Sequence, residues 1–182
     1  MYNIQRNKFQ FIGVISLDVI LKKWTIDDKS ELIKVCNEID RQYISNRLPF
    51  PYTENDAKEW IIMVEQHDGK NGIFRAIVVN GEYVGNISVE KMSDVRCKDS
   101  EIGYLLLTDK WSNGIMTEAV NQICSIAFLE LDIIRITGLV YKPNIASKRV
   151  LEKNNFVLEG IMKKAVLKNG NIFDLCLYGK HL

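Results

Sequence analysis

At 182 residues, 47% hydrophobic and 26% charged, the chain has ordinary globular composition and room for one developed core, which excludes a disordered or fibrous protein. Its formal net charge of +1 gives no field that would gather nucleic acid or an acidic membrane. No apolar run approaches the roughly 20 residues that span a bilayer, and the N-terminal apolar patch lacks a small-residue cleavage site. Cys36, Cys97, Cys124 and Cys176 show no CxxC spacing, and His67 and His181 lie far from any nucleophile motif. The expectation is therefore a cytoplasmic protein with reduced thiols, no metal site, and no membrane or nucleic-acid partner. No repeat or linker divides it, so one domain is expected over 1–182, with 1–16 as a loose arm or short edge element.

In chain order, 17–23 alternates as a first strand. Thr25 with Asp28 has the pattern of a helix cap, and Leu32, Ile33, Val35, Cys36 and Ile39 supply a helical face. Prolines break the pattern within 47–52. Thr53 with Asp56 then caps a second helix carrying Ala57, Trp60, Ile61 and Val64. Segments 73–79 and 82–92 read as strands joined by the hairpin pair Asn80-Gly81, with Gly85 marking a bulge or a close backbone approach. The apolar run 102–107 reads as a buried strand. It turns at Gly114 into a helix with Ile115, Ala119, Ile123, Ile126 and Ala127 on one face. A strand follows at 133–141, then a short helix at 146–153 ending near Asn154 and Asn155. The segments 156–167 and 172–177 close the chain as a hairpin across Asn169-Gly170. This order predicts an α/β fold whose sheet is mixed, with helices on its faces.

The corner before the long helix carries the chemistry. A strand running into a helix through glycine aims free backbone N–H groups, and the positive end of the helix dipole, at whatever lies above it, which suits a phosphate. An ordinary strand-to-helix connection is an equal alternative on these residues alone.

The corner WSNGIMTEA (111–119), the strand EIGYLLL (101–107), NIASKRVLEKNNF (144–156), LPFPYTENDAKEWI (48–61) and GNIFDLCLY (170–178) together resemble, in order, the GNAT superfamily of N-acetyltransferases, and within it the RimJ/RimL-type subgroup. The resemblance implies a largely antiparallel seven-stranded sheet splayed between strands 4 and 5. It also implies acetyl-CoA as donor and an amine acceptor, either a protein N-terminus or a small amine, that attacks the thioester directly. Ser112, Asn113, Gly114, Ile115, Met116 and Thr117 would hold the pyrophosphate, with Met116 crowding the loop a little, and Leu105, Leu106 and Leu107 would hold the pantetheine arm. A strand N–H near Leu106 would polarise the thioester carbonyl. Asn144 is either a pantetheine partner or a helix cap. Ser147 is either a group near the sulfur or a hydroxyl satisfying the helix start.

Two departures leave proton transfer open. Leu151 stands where many members carry an acidic tyrosine, and Val166 stands where RimL-like enzymes carry a glutamate. Glu101 is the substitute base, provided that strand register turns it to the cleft. Trp24, Phe50 and Tyr52 are candidates for the acceptor pocket. A homodimer is expected through the C-terminal hairpin edge. A non-catalytic acyl-CoA sensor of the same fold is the alternative reading.

Overall fold

A computed structural model describes residues 18–182; the expected arm at 1–16, and Leu17 of the expected first strand, lie outside the described residues. Seven strands form one sheet in the order β1-β2-β3-β4-β5-β7-β6. They are β1 (Val19–Lys22), β2 (Gly72–Val79), β3 (Glu82–Lys91), β4 (Ser100–Leu106), β5 (Arg135–Tyr141), β6 (Val157–Lys168) and β7 (Asn171–His181). All neighbours pair antiparallel except β4 and β5, which are parallel. Helices α1 (Lys29–Glu38) and α2 (Glu54–His67) cover one face, and α3 (Ile115–Glu130) and α4 (Ile145–Lys153) cover the other. None of the described helices is long and apolar enough to cross a membrane.

Local signals explain most boundaries. Thr53 accepts the Asp56 N–H while the Asp56 carboxylate accepts the Thr53 N–H at 2.8 Å, a reciprocal cap that starts α2. At Thr25 the Asp28 carboxylate accepts the Thr25 N–H at 3.0 Å while the Asp28 N–H bonds the Thr25 carbonyl at 2.9 Å, which opens a single 3-10 turn, Ile26–Asp28, and α1 begins only after it. Asn80 and Gly81 both take positive φ (51° and 82°), as do Asn169 and Gly170 (49° and 77°), which fits the twist of two-residue hairpins. Gly85 sits opposite the register shift at Ile77/Val78, and a Cβ there would collide with Leu105 O, so the expected bulge is also a close approach.

Alternation on β2 splits the core. Ile73 and Ile77 pack with Val120 and Ile123 of α3, while Phe74, Ala76 and Val78 pack with Leu32, Ala57 and Ile61. Each of the larger buried side chains among these (Ile, Val, Leu and Phe) contributes about 2 kcal/mol. Trp24 and Tyr52 belong to this second cluster, at 2% and 5% exposure.

The final hairpin is longer than the sequence pattern suggests, because β7 runs on to His181 along β5; β6 keeps its expected length but has two irregularities, at Leu158/Gly160 and Met162/Val166. The second is held by Asp174, which accepts the Lys164 N–H at 3.1 Å and the Lys142 and Lys163 ammonium groups at 3.2 Å. These bonds, the Lys164 N–H foremost, hold the Asp174 carboxyl down at about 2 against an ordinary 3.8. A depressed carboxylate stabilises the fold above its ordinary pKa and loses that contribution as pH falls through the folded value. Asp174→Asn is therefore expected to lower the melting temperature at pH 7, with the gap to wild type closing between pH 3.8 and 2. A gap independent of pH would mean that the carboxylate charge does not hold the bulge. β6 itself is an open edge, exposing Val157, Leu158, Ile161 and Met162.

Candidate active site

β4 and β5 share only two register pairs, Glu101↔Thr137 and Ile102↔Gly138, and then part. The strand is consequently less buried than its apolar sequence suggests: Ile102 is in the core, but Leu105 and Leu106 are only half-buried. The gap between the strands is part of a cleft of about 470 Å3 that reaches from the start of α3 to the loop after α1.

Hydrogen-bond alternation fixes which backbone groups face the gap. Leu107 N–H bonds Val84 O, so the main-chain groups of Leu107 and Leu105 point toward β3, and those of Tyr104 and Leu106 point toward the parted edge. Leu106 O is taken by the Trp111 indole N–H at 3.0 Å. The Leu106 N–H and both main-chain groups of Tyr104 are what the edge presents. Leu107, 4% exposed, contributes neither side chain nor backbone to the cleft, and Leu105 contributes its side chain. The expected three-residue docking edge is thus shifted one residue back.

At the corner, Ser112 (φ 63°) and Gly114 (φ 80°) both adopt the left-handed conformation, folding successive N–H groups to one side. The first intrahelical bond is Glu118 N–H to Gly114 O, which leaves the N–H groups of Ile115, Met116 and Thr117 without helical partners. A Cβ on Gly114 would meet nothing within 4 Å; the space beside it belongs to the cleft. Met116 does not crowd the loop, because its side chain is turned into the core at 7% exposure and only its backbone faces the corner. Asn113 is exposed, its amide donating to Lys110 O at 3.3 Å, and it does not line the cleft.

Three cations line this end: Lys110, Arg149 and Lys153. Lys110 is paired with Glu82 at 2.7 Å. Among the described residues neither Arg149 nor Lys153 has an acidic partner, and their i,i+4 spacing puts them on one face of α4. In the sequence they look like any solvent-facing helix charges, and only the fold aims them at the cleft.

Asn144 caps α4, its Oδ1 accepting the Ser147 N–H at 3.1 Å. Its amide NH2 stays available, so the cap and the partner roles are compatible. With the cap made by Asn144, the Ser147 hydroxyl is released from that duty and lies 2.7 Å from the Tyr104 hydroxyl. Leu151, 1% exposed, packs against Gly138, where a Cβ would lie 2.7 Å from its Cδ1. Tyr104 was not singled out by sequence reasoning; its place in an apolar run reads as packing.

The other end of the cleft is lined by Ile39, Asp40, Tyr43, Ile44, Leu139 and Tyr141, with the Tyr43 and Tyr141 rings 5.6 Å apart. Lys168, only 9% exposed, donates to Ile44 O and Asn46 Oδ1 and so ties this loop to the β6–β7 hairpin. Of the candidates for this end, none lines the cleft. The Trp24 indole is buried against Asn86 Oδ1 (2.9 Å), Tyr52 is held by Asn37, and Phe50 is exposed under the Arg41 guanidinium. Glu101 sits on the α1/α2 face of β4, opposite Glu90, half-buried and outside the lining residues. Burial pushes its carboxyl up, with Arg47 opposing and Glu90 reinforcing.

The model of the acetyltransferase (GNAT) domain matches residues 18–157. The chain belongs to the GNAT family. It is accordingly an N-acetyltransferase, and its sheet, splayed after β4, is the one the sequence resemblance implied. Among GNAT relatives, the uncharacterized N-acetyltransferase YoaA of Bacillus subtilis is 25% identical over 91% of this chain and 94% of its own. The putative ribosomal N-acetyltransferase YdaF of the same organism is 30% identical over 70% of this chain and 67% of its own. Among solved structures, RimL, a ribosomal L7/L12 alpha-N-protein acetyltransferase in complex with CoA, superposes with a TM-score of 0.79 at 21% identity, covering 94% of this chain and 97% of that one. The microcin C7 self-immunity acetyltransferase MccE, in complex with acetyl-CoA and AMP, gives 0.76 at 22% identity over 90% and 92%. At such identities these two speak for the GNAT fold alone.

Proposed function

We propose that this GNAT protein transfers an acetyl group from acetyl-CoA to a primary amine, held at the Tyr43–Tyr141 end of the cleft, by direct attack on the thioester. The observation that carries the reading is the parted β4–β5 edge lying in line with an unpartnered helix start. One narrow cleft offers N–H groups for a pyrophosphate, and beyond them an open strand edge for an amide-bearing arm. The neighbours RimL and MccE, seen with CoA and acetyl-CoA, support the same donor here. Ser112, Gly114, Ile115, Met116 and Thr117 hold the pyrophosphate, and Asn113 shapes the turn. Tyr104 pairs with the arm, Asn144 donates to it, and the Leu106 N–H is kept for the thioester carbonyl.

Chemistry needs a neutral amine, a polarised carbonyl and a stabilised leaving sulfur. The free Leu106 N–H polarises the carbonyl, Ser147 serves the sulfur, and Glu101 accepts the amine proton. Glu101 stands five residues from Leu106, roughly 17 Å along the strand, so it takes the proton through a chain of waters and not by contact. The amine enters from the α1/α2 face, where Leu105 and Leu139 flank the gap.

A thiol-release assay with acetyl-CoA and a panel of peptide N-termini, polyamines and aminoglycosides tests the reading. Turnover with at least one class is expected; none, despite thermal stabilisation by acetyl-CoA, would sink it in favour of a non-catalytic sensor. The cationic pair adds a second check. Arg149→Ala with Lys153→Ala is expected to raise KM for acetyl-CoA about thirtyfold with kcat held, since each of the two lost charge-assisted contacts is worth roughly 1 kcal/mol. An unchanged KM would remove these side chains from donor binding.

A further inference from the structure

Across one face of the gap Tyr104 on β4 meets Ser147 in the first turn of α4: their hydroxyls lie 2.7 Å apart, and the phenol also reaches the Ser147 carbonyl oxygen at 3.4 Å. We infer that Tyr104 is a positioning residue for the leaving group, its phenol donating to Ser147 Oγ so that the serine hydrogen is turned toward the departing sulfur. This rests on the acetyl-CoA reading above.

Three features of the surroundings leave the pair this task. The Ser147 N–H is satisfied by Asn144, so the serine hydroxyl is not needed to cap its helix. The next turn of α4 offers no acid, because Leu151 is packed down on Gly138. Burial drives the Tyr104 phenol well above the ordinary tyrosine range, so it remains a donor at any working pH. A serine that receives one hydrogen bond on its oxygen is fixed in rotation and is a better donor through the other side of the same oxygen.

The step balances without an outside reagent. The amine nitrogen adds to the thioester carbon, the N–C bond forms, and the C–S bond breaks with its electron pair on sulfur. Ser147 gives its proton to that sulfur and is reprotonated from water, while the proton the nitrogen sheds passes through water to Glu101. Tyr104 keeps its own proton throughout.

The test is a cycle of Tyr104→Phe, Ser147→Ala and the double variant in the full chain, assayed with the best amine of the panel. Tyr104→Phe keeps the ring and its packing. Expected are a loss in kcat of about fivefold for Tyr104→Phe and about tenfold for Ser147→Ala, with KM for acetyl-CoA held within about twofold. The double variant should be no slower than Ser147→Ala alone, since the phenol acts only through the serine. A kcat unaltered by Tyr104→Phe, or lowered by the same factor with and without Ser147, overturns the inference. Thermal stabilisation by acetyl-CoA separates the two claims. If wild type shows none, the donor reading and this inference fall together; if wild type shows it and the cycle is additive, only the inference falls.

Discussion

Gly114→Val is expected to lower acetyl-CoA affinity by about a hundredfold or more while leaving the protein folded. Two costs add at this position, and they differ in kind. At φ 80° a residue with a branched Cβ is strained by roughly 1–2 kcal/mol, which shows as a lowered melting temperature. The larger cost falls on binding. Beyond its own chain neighbours nothing lies within 4 Å of the added Cβ, so the side chain would project into the cleft and keep an anion off the N–H groups of Ile115, Met116 and Thr117. Isothermal titration with acetyl-CoA, beside a melting curve without it, resolves the two. Affinity within threefold of wild type would show that the pyrophosphate is held elsewhere.

The second large effect is expected at the opposite face. Glu101→Gln should reduce kcat/KM about a hundredfold, the usual size for loss of a general base, and should remove the acid limb of the pH–rate profile. The sign follows from the environment. Burial disfavours the carboxylate, so Glu101 protonates at higher pH than an ordinary glutamate, and the wild-type rate falls as pH drops through that raised value. Arg47 and Arg96 oppose the rise, while Glu90 and Asp99 add to it. Glu90→Gln should therefore shift the acid limb to lower pH with kcat at the plateau preserved. A glutamine variant that retains both the rate and the limb would make Glu101 an edge charge.

The sequence was informative wherever a residue type has few places it can go. Asn80-Gly81 and Asn169-Gly170 announce their turns because few pairs tolerate two successive positive φ values. Thr53 with Asp56 announces a helix start because the reciprocal bonds need that spacing. Gly114 marks the corner for the same kind of reason. Aromatic residues carry no such label. Trp24 and Tyr52 are as suited to a core as to a pocket, and the core took them, while Tyr43 and Tyr141, which do line the cleft, were not singled out. The cations Arg149 and Lys153 were equally silent, since their role depends on where α4 lies over the parted strands. The edge at Leu105 to Leu107 was placed one residue off. A strand's apolar pattern shows its faces, whereas its hydrogen-bond phase depends on the partner strand.

The two-pair seam between β4 and β5 has a mechanical consequence. On one side of it lie β1 to β4 with the glycine corner, and on the other β5 to β7 with α4, so a donor bound as proposed would touch both halves and act as mortar between them. Amide exchange at Tyr104 and Leu106, whose N–H groups have no strand partner in the gap, reports that state directly. Their protons should exchange quickly in the free protein and slow sharply once the donor's arm takes the place of the missing strand.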